Sequence, residues 1–142
     1  MLRFLPFILL LSACGQRTAE GSGTTTGAEQ AAISDLIEVT SPRINEQVTS
    51  PLTVSGRARG SWYFEADFPL KLVDGNGHTL ARGYASAEGA WMTEDFVPFT
   101  GTLDFSGSDP DSGYLILQRA NPSGLAKYAD SLRIPVNFRP VP

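Results

Sequence analysis

Trp62-Tyr63-Phe64-Glu65-Ala66-Asp67-Phe68-Pro69-Leu70-Lys71-Leu72-Val73 is the stretch that decides the fold class. Every second residue from Trp62 to Leu72 is apolar, and this period of two marks a strand with one buried face. The pattern predicts Trp62, Phe64, Phe68, Leu70 and Leu72 facing a core, with Tyr63, Glu65, Asp67, Pro69, Lys71 and Val73 facing outward. The run is about twice the usual strand length of ~5–6 residues. Pro69 cannot donate to a ladder, so a bend, a bulge or an edge is expected there. Asp74-Gly75-Asn76-Gly77 then offers residues that accept positive φ, and the chain is expected to return as a hairpin through His78 to Tyr84.

Outward from this hairpin the same grammar continues. Upstream, Leu36-Ile37-Glu38-Val39 opens a strand, and Ser41-Pro42 and Ser50-Pro51 bracket a loop that no central strand could contain. Leu52, Val54, Gly56 and Ala58 alternate with Thr53, Ser55, Arg57 and Arg59. Downstream, Trp91 to Phe99 and Thr102 to Phe105 are strand material interrupted at Pro98 and Gly101, and residues 106–113 form an exposed loop. Tyr114-Leu115-Ile116-Leu117 is a continuous apolar run of the kind covered on both faces. Asn121-Pro122-Ser123-Gly124 breaks it, and Leu132, Ile134, Val136 and Phe138 alternate to the end, where Pro135 points to an edge. No stretch of useful length has helical periodicity. The expectation is an all-β fold: an immunoglobulin-like antiparallel β-sandwich of about seven strands over residues 35–139.

The 34 residues ahead of this domain read differently. Arg3 is followed by an apolar run from Phe4 to Leu11, then Ser12, Ala13 and Cys14, which is the order of a signal peptide ending in small residues. The run is far short of the ~20 residues needed to span ~30 Å of hydrocarbon. The leader resembles those of bacterial lipoproteins. That resemblance implies cleavage after residue 13, lipid on Cys14, and localisation in the cell envelope on the outer face of a membrane. Gln16 is not the Asp that resembles an inner-membrane retention signal, which favours the outer membrane in a two-membrane cell. Residues 14–34 are poor in anything to bury and read as the lipidated N-terminus and a flexible tether of roughly 25 Å root-mean-square span.

The chain has 42% hydrophobic and 18% charged residues, suited to one globular domain. Without residues 1–13 it carries ten cations against fifteen anions, a balance of −5 that makes nucleic acid an unsuitable partner. Cys14 is the only cysteine, so no disulfide is expected.

The Trp62 to Pro69 stretch, Asp74-Gly75-Asn76-Gly77, and Trp91-Met92-Thr93 through Val97-Pro98-Phe99 together resemble the immunoglobulin-like domain associated with bacterial spore germination. Ser41-Pro42, Val54-Ser55-Gly56, Asn121-Pro122-Ser123-Gly124 and Ile134-Pro135-Val136 fit the same pattern. The resemblance implies an envelope interaction module and supplies no catalytic residues.

Candidate chemistry is sparse. His78, the only histidine, follows a turn and reads as solvent-facing, and one histidine with one cysteine cannot build a multi-ligand zinc site. Glu65 with Asp67, and Glu94 with Asp95, could hold calcium or form a glycosidase pair, but read first as solvated carboxylates. Asp109 and Asp111 read as turn formers. Trp62, Tyr63, Phe64 and Trp91 could stack on sugar or peptidoglycan, though the buried register assigns Trp62 and Phe64 to the core. Tyr63, Glu65 and Asp67 share the outward register and are the candidate binding surface. The expected function is a lipid-anchored, non-catalytic module that binds an envelope protein or cell-wall partner, with no cofactor and no metal. The alternative is a small carbohydrate- or peptidoglycan-binding unit or a carboxylate enzyme.

Overall fold

In a computed structural model, residues 32–106 and 111–138 of the chain are described. The leader, Cys14, residues 15–31 of the tether and Asp109 lie outside the described residues. The folded part begins earlier than the expected boundary at residue 35. Ile33 is buried in the core, and its carbonyl accepts the Leu36 N–H at 2.9 Å, so the end of the expected tether is docked.

Eight strands follow: β1 (Ile37–Ser41), β2 (Gln47–Val48), β3 (Leu52–Arg59), β4 (Asp67–Asp74), β5 (Thr79–Ala87), β6 (Phe96–Leu103), β7 (Ser112–Gln118) and β8 (Ser131–Phe138). They form one sheet in the order β1-β3-β6-β5-β4-β7-β8-β2. The pairings are antiparallel except β2 with β8, which is parallel. Laid flat, eight strands would place the outer two roughly 33 Å apart at 4.7–4.9 Å per spacing. Yet β1 and β2 occupy opposite edges and are joined by residues 42–46, which reach at most about 22 Å between strand ends. The sheet therefore curls on itself, and its inner faces meet in an immunoglobulin-like sandwich.

The two halves are hydrogen-bonded together and not separate, because β5 belongs to both. It pairs with β4 from Thr79 to Ser86 and with β6 from Ala85 to Ala87. The expected interruptions at Pro98 and Gly101 do not divide β6, which runs through both. Pro69 and Pro98 fall where their strand has one paired neighbour, so the missing N–H breaks no second ladder. Pro135 sits in the same way, since β2 covers β8 only at Asn137 and Phe138. Tyr114 departs from the expected fully covered run: it is exposed, with the Arg133 guanidinium 4.6 Å from its ring centroid.

Phe68, fully buried, is the centre of the core. Its ring lies edge-on to Phe99 at 4.9 Å between centroids, to Tyr63 at 5.4 Å and to Trp62 at 6.5 Å. Trp62, Leu70 and Leu72 face inward as the alternation requires. Phe64, Tyr63 and Val73 do not: Phe64 is 47% exposed, while Tyr63 and Val73 are each only 4% exposed, Val73 lying past a register shift in the β4–β5 ladder. The run from Trp62 to Val73 is divided ahead of β4 and not at Pro69, and that break reverses Tyr63 and Phe64.

Candidate functional site

The break has two causes. Gly60–Trp62 forms a 3-10 turn, with the Tyr63 N–H donating to the Gly60 carbonyl at 3.2 Å. A Cβ at position 60 would stand 1.9 Å from the Thr93 carbonyl oxygen and 2.2 Å from that of Trp91, so only glycine allows residues 91–93 to lie against this turn. The end of β7 is tied to it as well: the Ala120 N–H donates to the Trp62 carbonyl at 2.9 Å, and Arg119 Nε donates to the Ser61 carbonyl at 3.0 Å. The second cause is a tight turn at Glu65-Ala66. Phe64 and Asp67 exchange both backbone hydrogen bonds, at 2.9 and 3.1 Å, and the two residues between them have φ of 51° and 70°. This is the geometry of a two-residue type I′ connection, usually filled by Asn-Gly. Here it carries a glutamate and an alanine in the left-handed region, which L-residues enter at a cost.

The turn places Phe64 and Glu65 at the surface. Phe64, Glu65, Asp67 and Pro69 line an open groove of about 340 Å³, together with Tyr84 from β5 and Ala120–Pro122 beyond β7. Tyr84 is 66% exposed and stands directly opposite Pro69 in the β4–β5 ladder. The candidate surface of Tyr63, Glu65 and Asp67 is thus corrected in one member. Glu65 and Asp67 line the groove, but Tyr63 points into the core, where its hydroxyl donates to the Val97 carbonyl at 2.6 Å. Burial pushes the Tyr63 hydroxyl up to about 12, with the Glu88 charge adding to the rise and a backbone hydrogen bond from Ala58 opposing it. Its aromatic place at the surface is taken by Phe64 and Tyr84, neither of which belonged to the expected outward set. Tyr84 was within reach of hairpin counting from Asp74-Gly75-Asn76-Gly77; Phe64 was hidden by a turn built without glycine.

The other sequence candidates lie elsewhere. His78 is exposed, and its Nδ1 lies 3.2 Å from Asp74 Oδ2. Asp74 is a buried turn residue: its Oδ1 accepts the backbone N–H groups of Asn76 and His78, each at 2.9 Å. Burial alone would raise its carboxyl, but those two donors and the His78 ring outweigh it and hold the carboxyl below the ordinary aspartate value. Glu94 and Asp95 belong to the segment lying over Gly60. The Thr93 hydroxyl lies 3.4 Å from the Asp95 carboxylate and accepts the Asp95 N–H at 3.2 Å, while the Glu94 carbonyl accepts Arg59 Nη1 at 3.4 Å. They do not join Glu65 and Asp67. Among the described residues, no group of three or more His, Cys, Asp or Glu side chains could hold a metal ion, and no helix is long and apolar enough to cross a membrane.

The groove thus offers aromatic surface and carboxylate acceptors, the inventory of a recognition site. No curated protein and no solved structure matches the chain at a significant level. Residues 36–125, more than half of the chain, do match a family: they run from just before β1 through β7 and include the groove-forming turn. On this match the chain belongs to the family of the immunoglobulin-like domain of bacterial spore germination, whose fold points to a binding role.

Proposed function

We propose that this protein is a lipid-anchored envelope module that binds another envelope component through the Phe64–Tyr84 groove, without turning over a substrate. The observation that carries the reading is the pair of exposed aromatics, Phe64 and Tyr84, in one open groove with two carboxylates. Large aromatics left at a surface with apolar and polar neighbours are the usual anchors of recognition. The leader supports the anchor: Leu11-Ser12-Ala13-Cys14 resembles a lipoprotein processing site, and two or more acyl chains hold a protein on its membrane at about 0.8 kcal/mol per buried CH₂.

The test is capture of solubilised envelope proteins and, separately, of purified cell wall by wild type and by a folded Phe64→Ala, Tyr84→Ala double variant. A protein retained by the wild type and lost from the double variant supports the reading. Equal retention by both rejects the groove, and hydrolysis of an envelope polymer by the purified protein rejects the non-catalytic role. Retention on wall polymer alone favours a carbohydrate-binding unit. Fatty-acid labelling of wild type but not Cys14→Ser checks the anchor.

A further inference from the structure

We propose that the groove recognises a cationic side chain, a lysine or arginine presented by a protein partner; this rests on the binding role assigned to the groove above. Among the described residues, three other accessible aromatic rings carry a cation of the protein's own, while half-buried Trp91 and Phe105 carry none. Phe96 is stacked by Arg57 and Arg59, at 4.5 and 3.9 Å; Tyr128 has Lys127 at 4.8 Å; Tyr114 has Arg133 at 4.6 Å. Among the described residues, Phe64 and Tyr84 are exposed and have no such cation of their own. The two groove carboxylates stand in the same condition. Arg57 pairs with Glu38, His78 with Asp74 and Arg119 with Asp130, while the side chains of Glu65 and Asp67 have neither a hydrogen bond nor an ion pair among the described residues.

The charge of the groove lining is also one-sided, with Glu65 and Asp67 and no cation. Asn121 is held in place by the fold: one hydrogen of its Nδ2 is donated to the Leu125 carbonyl at 2.9 Å, and its Oδ1 accepts the Ser123 hydroxyl at 2.7 Å. The two carboxylates are the only charged groups of the groove lining among the described residues, set beside aromatic faces and the neutral Tyr84 hydroxyl, so the positive charge must come from the ligand.

The next row along β4 and β5 gives the groove a direction. Lys71 stands opposite Arg82 there, on the face shared with Pro69 and Tyr84, so a cation is drawn toward the Glu65–Asp67 end and repelled from the other.

The experiment is an NMR titration of the isotope-labelled full chain in non-ionic detergent, with three probes: a capped Gly-Lys-Gly peptide, the same peptide with Nε-acetyl-lysine, and a neutral N-acetylglucosamine trisaccharide. The lysine peptide is expected to shift the amides of residues 64–67, 84 and 121, with affinity falling as salt rises. Acetylation, the Glu65→Gln, Asp67→Asn double variant, and Tyr84→Ala should each weaken it by about tenfold, while Lys71→Ala should not weaken it. Tyr84→Ala, made at an exposed strand position, keeps the test open if the carboxylate variant does not fold. Equal binding of the acetylated peptide or of the trisaccharide, or lysine-peptide shifts confined to other residues, overturns the proposal. If those results coincide with groove-dependent capture of an envelope protein, only the cationic ligand is rejected; if capture is also independent of the groove, the binding reading falls with it.

Discussion

Tyr63 and Val97, 34 positions apart, are joined in the core by a 2.6 Å hydrogen bond from the phenol to the backbone carbonyl of β6. The bond requires a protonated hydroxyl, and burial raises the hydroxyl to about 12. The folded state therefore holds this proton more tightly than the unfolded chain, whose tyrosines titrate near 10. The stability it contributes is complete below pH 10 and is lost as pH rises from 10 toward 12, by about 2 kcal/mol. Tyr63→Phe should flatten that decline relative to wild type and cost about 1 kcal/mol at neutral pH. Denaturant unfolding of both proteins between pH 8 and 11.5 checks it.

Phe68 touches three other aromatic rings and is fully buried. Phe68→Ala should cost about 3–5 kcal/mol. Lys71→Ala, on the outward face of the same strand, should stay within about 0.5 kcal/mol of wild type. Equal losses in urea unfolding would contradict the register of β4.

Gly60 separates the 3-10 turn from residues 91–93 by less than a methyl group allows. Gly60→Ala is expected to cost at least about 2 kcal/mol, because the atoms it meets are backbone carbonyls that cannot rotate away. The fluorescence of Trp91, half-buried beside this contact, should shift to longer wavelength as the segment lifts.

Ala66 adopts φ of 70° in the groove turn. Ala66→Gly relieves the strain of its Cβ and should raise stability by about 0.5–1 kcal/mol after the loss of chain entropy is counted. A lower melting temperature for Ala66→Gly would contradict the turn geometry.

The Asp74 carboxyl is held below its unfolded value by the Asn76 and His78 N–H groups. Its contribution is present above the unfolded value near 3.9 and is lost as pH falls through the lower folded value. Asp74→Asn should be less stable than wild type at pH 7, and the gap should narrow below pH 4, as read from thermal unfolding.

The period-two alternation, together with punctuation by proline, glycine and Asp74-Gly75-Asn76-Gly77, was enough to determine an all-β immunoglobulin-like domain. These are local signals: strand periodicity selects a buried face, and turn residues with positive φ select a hairpin. On those grounds Phe68, Leu70 and Leu72 were assigned correctly to the core and Lys71 to the outside. The positions of Tyr63 and Phe64 were decided by tertiary structure. Glu65 and Ala66 have no intrinsic preference for a left-handed turn, and nothing local requires Gly60 to sit beneath Trp91 and Thr93. Both conformations are imposed by distant partners, through the bonds from Arg119 and Ala120 to the 3-10 turn and the bond from the Ala87 N–H to the Ala66 carbonyl. Alternation can be extrapolated along a strand only while the backbone stays extended. Two turns inside eight residues break the phase, and the groove formed by Phe64, Tyr84, Glu65 and Asp67 exists because they do.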